Sequence, residues 1–257
     1  MCWNPKPYYK TKITTVMKAM LNAIFSENQD FVNWGVHHWG AILFFAILGF
    51  ILIRIGKSLD EKKQVRLGVS FAIVLLLFNL AYIGIIALKG EFDYRTDLPL
   101  NFCVILPYFM PYVMYSKNKT LYGIMYFGVL GGTFQGIVTP HLDGIGFPSY
   151  VYLKFWLEHA GLIILILYAT IVYKMRPTWV DYRNAVLFLF AYFFLFLMSI
   201  NYLIGSNYGY TMNKPPDGSL LDLFGPWPLY LLVSIGVALP FFFLLYLPFF
   251  IKDKRGA

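Results

Sequence analysis

Two stretches of this chain carry residue types suited to covalent chemistry in an apolar setting. The first is DLPLNFCVILPYFMPY, residues 97–112, where Cys103 follows Asp97 and Asn101 and precedes Pro107 and Pro111. The second is KFWLEHAGLIILILY, residues 154–168, where Glu158 and His159 stand side by side in an apolar run. A thiol and an imidazole on opposing helices can form a nucleophile–base pair, the imidazole taking the thiol proton before sulfur attacks a carbonyl carbon. The first stretch favours that use of the thiol. Pro99 fits a first helical turn, where its missing N–H costs nothing, with Thr96 or Asp97 as the cap. Cys103 then lies about one turn inside a helix N-terminus, whose positive dipole end stabilises an anion such as a thiolate. Pro107 and Pro111 each remove a backbone donor, so the helix can kink and open space beside the sulfur. Cysteine is also an ordinary small packing residue, and these residues alone leave both uses open.

His159 gains weight from its depth. A helix that begins near Tyr150 carries His159 ~14 Å along its axis at 1.5 Å per residue. Ionisable groups so deep in a membrane are costly and face a bundle interior or a wet cavity. Glu158 points ~100° away from it and suits an orienting partner as well as a reacting group. Lys154, one turn nearer the surface, can snorkel.

The elements that must position these groups are membrane helices. The chain of 257 residues is 59% apolar, 20% aromatic and 13% charged, where a soluble domain carries roughly a quarter charged residues. Apolar stretches of about 18 residues or more recur, each long enough for ~30 Å of hydrocarbon. The fold class is all-α: a polytopic membrane protein with one seven-transmembrane-helix bundle over residues 1–257 and no separate soluble domain. The expected spans are 37–55, 67–88, 98–115, 120–139, 150–173, 184–205 and 229–251, with a long outer loop at 206–228. Residues 10–30 include KTKITTVMKAMLNAIFS, apolar at helical spacing with lysines opposite, which reads as an N-terminal interfacial amphipathic helix or an ordinary packed one. In the fourth span, Gly128, Gly132 and Gly136 recur four apart and let a neighbouring helix approach.

Charge supplies the orientation. Arg54, Lys57, Lys62, Lys63, Arg66, Lys117, Lys119, Lys174, Arg176, Arg183, Lys252, Lys254 and Arg255 fall on one side, so the positive-inside rule places the N-terminus outside and the C-terminus in the cytoplasm. The net charge of +8 is accounted for by these loops and gives no reason to invoke nucleic acid. Neither Cys2 nor Cys103 belongs to a disulfide framework or a zinc motif, and the N-terminus does not read as a signal peptide.

The spans sort polar residues towards the outer half: His37, His38, His141, His159, Cys103, Asp93, Asp97, Asn101, Gln135, Asp143, Glu158, Asn201 and Asn207. The cytoplasmic half reads as nearly featureless Leu, Ile, Phe and Val. LPLNFC, the intramembrane EH pair and NYGYTMNKPPDGSLLDLFGPWPLY (207–230), in this order and spacing, resemble the YwaF-like bacterial integral membrane proteins. These group with eukaryotic transmembrane protein 164, and the resemblance covers roughly residues 35–251.

The resemblance implies a cysteine-dependent acyltransferase moving an acyl chain between phospholipid and lysophospholipid. It implies Cys103 as the acyl-accepting nucleophile and His159 as its base, in a bacterial cytoplasmic membrane. Asn101, Asn201 or Asn207 could then donate to the oxyanion, with Glu158, His38 and Gln135 as supporting or substrate-binding residues. Such a cycle calls for no metal and no cofactor; its partners are the bilayer and its lipids. Three alternatives remain open from sequence: a transporter with broken helices, a metal-dependent lipid hydrolase using His37, His38, His141 and His159 with Asp143 or Glu158, and a receptor without chemistry. Headgroup, acyl preference and oligomeric state are not written in the sequence.

Overall fold

The fold is that of a computed structural model, which describes residues 31–142, 144–215 and 219–255, with side chains as far as Lys252. The interfacial helix expected at 10–30, Asp143 and residues 216–218 of the long loop lie outside the described residues. Seven helices run in order: α1 Val36–Ser58, α2 Glu61–Lys89, α3 Phe102–Ser116, α4 Lys119–Val138, α5 Tyr150–Ile171, α6 Trp179–Ile204 and α7 Leu229–Arg255. No strand occurs among the described residues. Six of the seven are long and apolar enough to cross a membrane. The exception is α3, whose 15 residues reach only ~22 Å at 1.5 Å per residue.

Its shortness corrects the expected start. Helix α3 begins at Phe102 with Asn101 as its N-cap, rather than at Pro99 under Thr96 or Asp97. The irregular chain before it is held from outside. Tyr208 Oη receives the Leu98 N–H at 2.9 Å and donates to the Tyr94 carbonyl at 2.9 Å. Tyr192 Oη donates to the Leu100 carbonyl at 2.7 Å, and Gly209 N–H donates to Asn101 Oδ1 at 2.9 Å. Non-helical backbone within apolar surroundings persists only where such partners satisfy it. Burial pushes the pKa of the Tyr208 hydroxyl up, which keeps its proton available for donation.

Helix α5 is the axis of the bundle. It packs against α1, α2, α3 and α4, and 56% of its apolar window is buried, against 17% for α1 and 11% for α6. Leu162, Leu165 and Ile166 on α5 meet Leu75 of α2, Met110 and Met114 of α3 and Phe127 of α4 in one fully buried core. The outward faces of α1 and α6 expose Leu43, Phe44, Ile47, Phe50, Leu187, Phe190 and Leu195, as a bilayer solvent requires.

Two π-turns re-aim the helices. In α4 the turn Val129–Thr133 breaks the four-residue repeat of small residues. The close contacts therefore fall at Gly128 against Phe102, Gly131 against Phe242 and Gly136 against His159, while nothing lies nearer than 3.9 Å to a Cβ placed at Gly132. In α6 the turn Ala191–Leu197 carries Tyr192, which bonds Leu100. The opposite end is not featureless. Tyr168 and Tyr173 both donate to the Gln64 carbonyl, at 3.0 and 3.3 Å, and the Tyr122 and Thr170 hydroxyls pair at 2.8 Å.

Buried Asn201 organises the turn after α6. Its Oδ1 accepts from Ser206 Oγ at 2.6 Å and Tyr208 N–H at 2.8 Å, and its Nδ2 donates to the Tyr208 carbonyl and Thr211 Oγ1, both at 2.8 Å. Replacing Asn201 with Leu leaves these groups buried without partners, and we expect a loss of about 2–4 kcal/mol. Thermal unfolding in detergent measures it; a melting temperature unchanged from wild type would refute this role for Asn201.

Candidate functional site at the head of α3

Alternation of the helices gathers one end of the bundle. The starts of α1, α3, α5 and α7 meet the ends of α2, α4 and α6 there. Tyr152 Oη donates to the His37 carbonyl at 2.7 Å and Tyr150 Oη to the Phe78 carbonyl at 2.8 Å. His38 bridges α1 to α4, accepting the Trp34 N–H at Nδ1 (2.9 Å) and donating from Nε2 to the Ile137 carbonyl (2.8 Å).

Cys103 is the second residue of α3 and is partly exposed. Asn101 gives α3 no side-chain cap, because Gly209 occupies its Oδ1. The first-turn amides are thus left uncovered by any side chain, and the sulfur lies close to the N–H groups of Cys103 and Val104. Asn101 Nδ2 donates to no described residue. Pro107 has no N–H to bond the Cys103 carbonyl. The Val104 and Ile105 N–H groups both turn to the Asn101 carbonyl, at 2.9 and 3.0 Å, which leaves the Cys103 N–H as the first-turn donor beside the thiol.

His159 sits on the buried side of α5, 7% exposed. Its Nδ1 lies 2.8 Å from the Phe155 carbonyl, which can only accept, so Nδ1 carries the proton. In the neutral ring Nε2 is then an unprotonated acceptor. Phe155 stacks on the ring at 4.0 Å and 23°. The other edge faces α4: a Cβ at Gly136 would stand 2.5 Å from Cδ2 and 2.8 Å from Nε2. Phe102, the neighbour of Cys103, packs on Gly128 of the same helix. Because α3, α4 and α5 pack on one another, Cys103 and His159 belong to neighbouring helices that meet the second half of α4. Glu158 and Lys154 are the charged side chains that act on the Cys103 sulfur.

Glu158 is 2% exposed. One oxygen, Oε2, receives Lys154 Nζ at 3.1 Å, and that ammonium lies 4.9 Å from the centre of the Tyr82 ring. The other, Oε1, is buried without a hydrogen-bond partner, as are Asn79 Oδ1, Tyr108 Oη and Thr133 Oγ1. Asn79 of α2 neighbours the carboxylate, with its Nδ2 donating to the Leu75 carbonyl at 3.2 Å.

The remaining expected residues fall elsewhere or are occupied. Asn201 has spent both its donors on the loop. Asn207 has its Oδ1 bonded by the N–H groups of Met212 and Asn213, and its Nδ2 donates to the Asn213 carbonyl. Of the three amides considered for an oxyanion, Asn201 has no donor left, Asn207 keeps one N–H and Asn101 keeps both. His38 has both ring nitrogens committed, and Gln135 is exposed. No group of three or more His, Cys, Asp or Glu side chains among the described residues could hold a metal ion. Sequence reading missed Asn79, Tyr108 and Thr133. Asn79 had a signal, an amide inside VLLLFNLAY; a tyrosine and a threonine in apolar helices had none.

An all-helical bundle with a thiol, an imidazole and a carboxylate gathered near one end defines a multi-pass integral membrane protein with a polar centre. The chain belongs to the TMEM164 family, whose model matches residues 33–246. No curated protein and no solved structure matches it.

The Gly136 contact can be tested against its neighbour. Gly136→Ala must displace the His159 ring, with an expected cost of about 1–3 kcal/mol, whereas Gly132→Ala has room. Paired melting curves decide it, and equal melting temperatures for the two variants would contradict the described contact.

Proposed function

We propose that the protein is a membrane-embedded cysteine acyltransferase, moving an acyl chain from a phospholipid to a lysophospholipid through an acyl-thioester on Cys103. The observation that carries this reading is the tautomer of His159: a buried imidazole whose proton is fixed on Nδ1 turns an unprotonated Nε2 towards Gly136 of α4, a helix that also packs on Phe102 at the start of α3. The Lys/Arg distribution supports an orientation with this end at the outer face of the membrane; the proposal takes that membrane to be a bacterial cytoplasmic one, crossed seven times with α3 and the chain before it as the third crossing.

The cycle uses only these groups. The Cys103 proton passes to His159 Nε2 while sulfur bonds the ester carbonyl carbon. Asn101 Nδ2 and the Cys103 N–H donate to the oxyanion. The carbon–oxygen bond breaks, and the leaving lysolipid oxygen takes the proton from the imidazolium. A second lysolipid hydroxyl then attacks the thioester, gives its proton to Nε2, and the carbon–sulfur bond breaks. The proton returns to sulfur.

Peptide mapping after incubation with mixed phospholipids tests this. The expected product is a hydroxylamine-sensitive acyl adduct on Cys103 in the wild type. Cys103→Ala abolishes transfer, and His159→Ala slows it about a hundredfold to ten-thousandfold. Undiminished transfer by Cys103→Ala would end the proposal.

A further inference from the structure

The acyl-transfer cycle leaves one buried group unused. Glu158 Oε1 is a carboxylate oxygen shut away from solvent with no donor in hydrogen-bonding geometry, and Asn79 Oδ1 and Tyr108 Oη are likewise unbonded; the Asn79 side chain and the Tyr108 hydroxyl both lie within the reach of this carboxylate's charge. These atoms come from α5, α2 and α3, three helices in mutual contact. Unmet acceptors in an apolar interior are costly, and a carboxylate oxygen most of all. Buried ion pairs add little stability over apolar residues of similar size, so packing alone does not explain the Lys154–Glu158 pair.

The charges define what would fit. Lys154 already balances the carboxylate at 3.1 Å. A cationic ligand would meet that ammonium, and an anionic one would meet the carboxylate oxygen. What remains is a neutral hydrogen-bond donor. Tyr108 can donate to such a group while Glu158 accepts from it. A neutral donor that reaches a bundle interior from the bilayer, next to a thiol, is an alcohol carried by a lipid.

We infer that Glu158, with Asn79 and Tyr108, forms a docking site for the free hydroxyl of a lysolipid, holding the acceptor beside Cys103. Glu158 stays ionised and paired with Lys154 throughout; it binds the hydroxyl and takes no proton. The hydroxyl turns its proton to the base only as its oxygen attacks. A diacyl phospholipid has no free glycerol hydroxyl, so the site separates acceptor from donor. The naming of the hydroxyl as acyl acceptor rests on the acyl-transfer reading; the site itself does not.

The test is binding, measured without turnover on the full chain carrying Cys103→Ala. Native mass spectrometry compares 1-palmitoyl-lysophosphatidylcholine with its 2-deoxy analogue, which lacks only the hydroxyl. The expected preference for the hydroxyl-bearing lipid is about tenfold to a hundredfold, the size of a hydrogen bond to a charged acceptor. Glu158→Gln removes that preference, and Tyr108→Phe, which keeps the ring, reduces it at least about threefold. If Glu158→Gln does not fold, Tyr108→Phe decides on the same readout. Equal binding of the two lipids, as when water alone occupies the site, overturns the inference, and so does a preference that both variants retain. A preference without any acyl adduct on wild-type Cys103 would sustain the docking site and sink acyl transfer; an adduct without a preference would do the reverse.

Discussion

The four hydrogen bonds of Asn201 set where Cys103 can be. They close the turn after α6 around Ser206, Tyr208 and Thr211. That turn presents Tyr208 and Gly209 to the chain before α3, where they take up Leu98 N–H and Asn101 Oδ1. With its side chain drawn to Gly209, Asn101 starts a helix that it does not cap, and Cys103 follows two residues later. In water such a chain could be solvated in many ways. In an apolar solvent each unpaired N–H or C=O costs several kcal/mol, roughly the size of a whole domain's stability when summed over a few groups. The irregular segment is thereby fixed, and the thiol with it.

A second constraint follows from placing charge on the most buried helix. Glu158 and Lys154 on α5 lie within one turn of each other and close to α2, where Asn79 and Tyr82 receive them. The imidazole of the next residue turns to α4 instead, into room left by Gly136. Adjacent residues about 100° apart on one helix thus face two different interfaces, and the polar centre spans α2 to α4 through α5.

The sequence made the class, most of the helices and the burial of the EH pair legible, because each rests on a local pattern. Long apolar runs must be spans, and an EH pair in such a run must face inwards. What it did not make legible depended on remote partners. Pro99 looked like a first-turn residue until Tyr192, Tyr208 and Gly209, some ninety to a hundred and ten positions away, proved to satisfy the chain around it. The glycine repeat at 128, 132 and 136 assumed a regular helix, and a π-turn moved the contact to Gly131. Asn201 has the chemistry of an oxyanion donor, but the loop it folds uses both its N–H groups first. Asn79 was overlooked because one amide in a long apolar run leaves no motif.

The support given to His159 suits the thiol partner that the proposed cycle gives it. Its Nδ1 proton is held by the Phe155 carbonyl, a neutral dipole on its own helix. A carboxylate in that place would stabilise the imidazolium formed when Nε2 takes a proton. A carbonyl fixes the tautomer and the ring angle but contributes less to that charge. A base of this kind is too weak to activate a serine hydroxyl well. A thiol gives up its proton several pK units more readily and is a strong nucleophile once ionised. In the proposed cycle a weak base therefore meets a nucleophile that ionises more readily than an alcohol would in the same place.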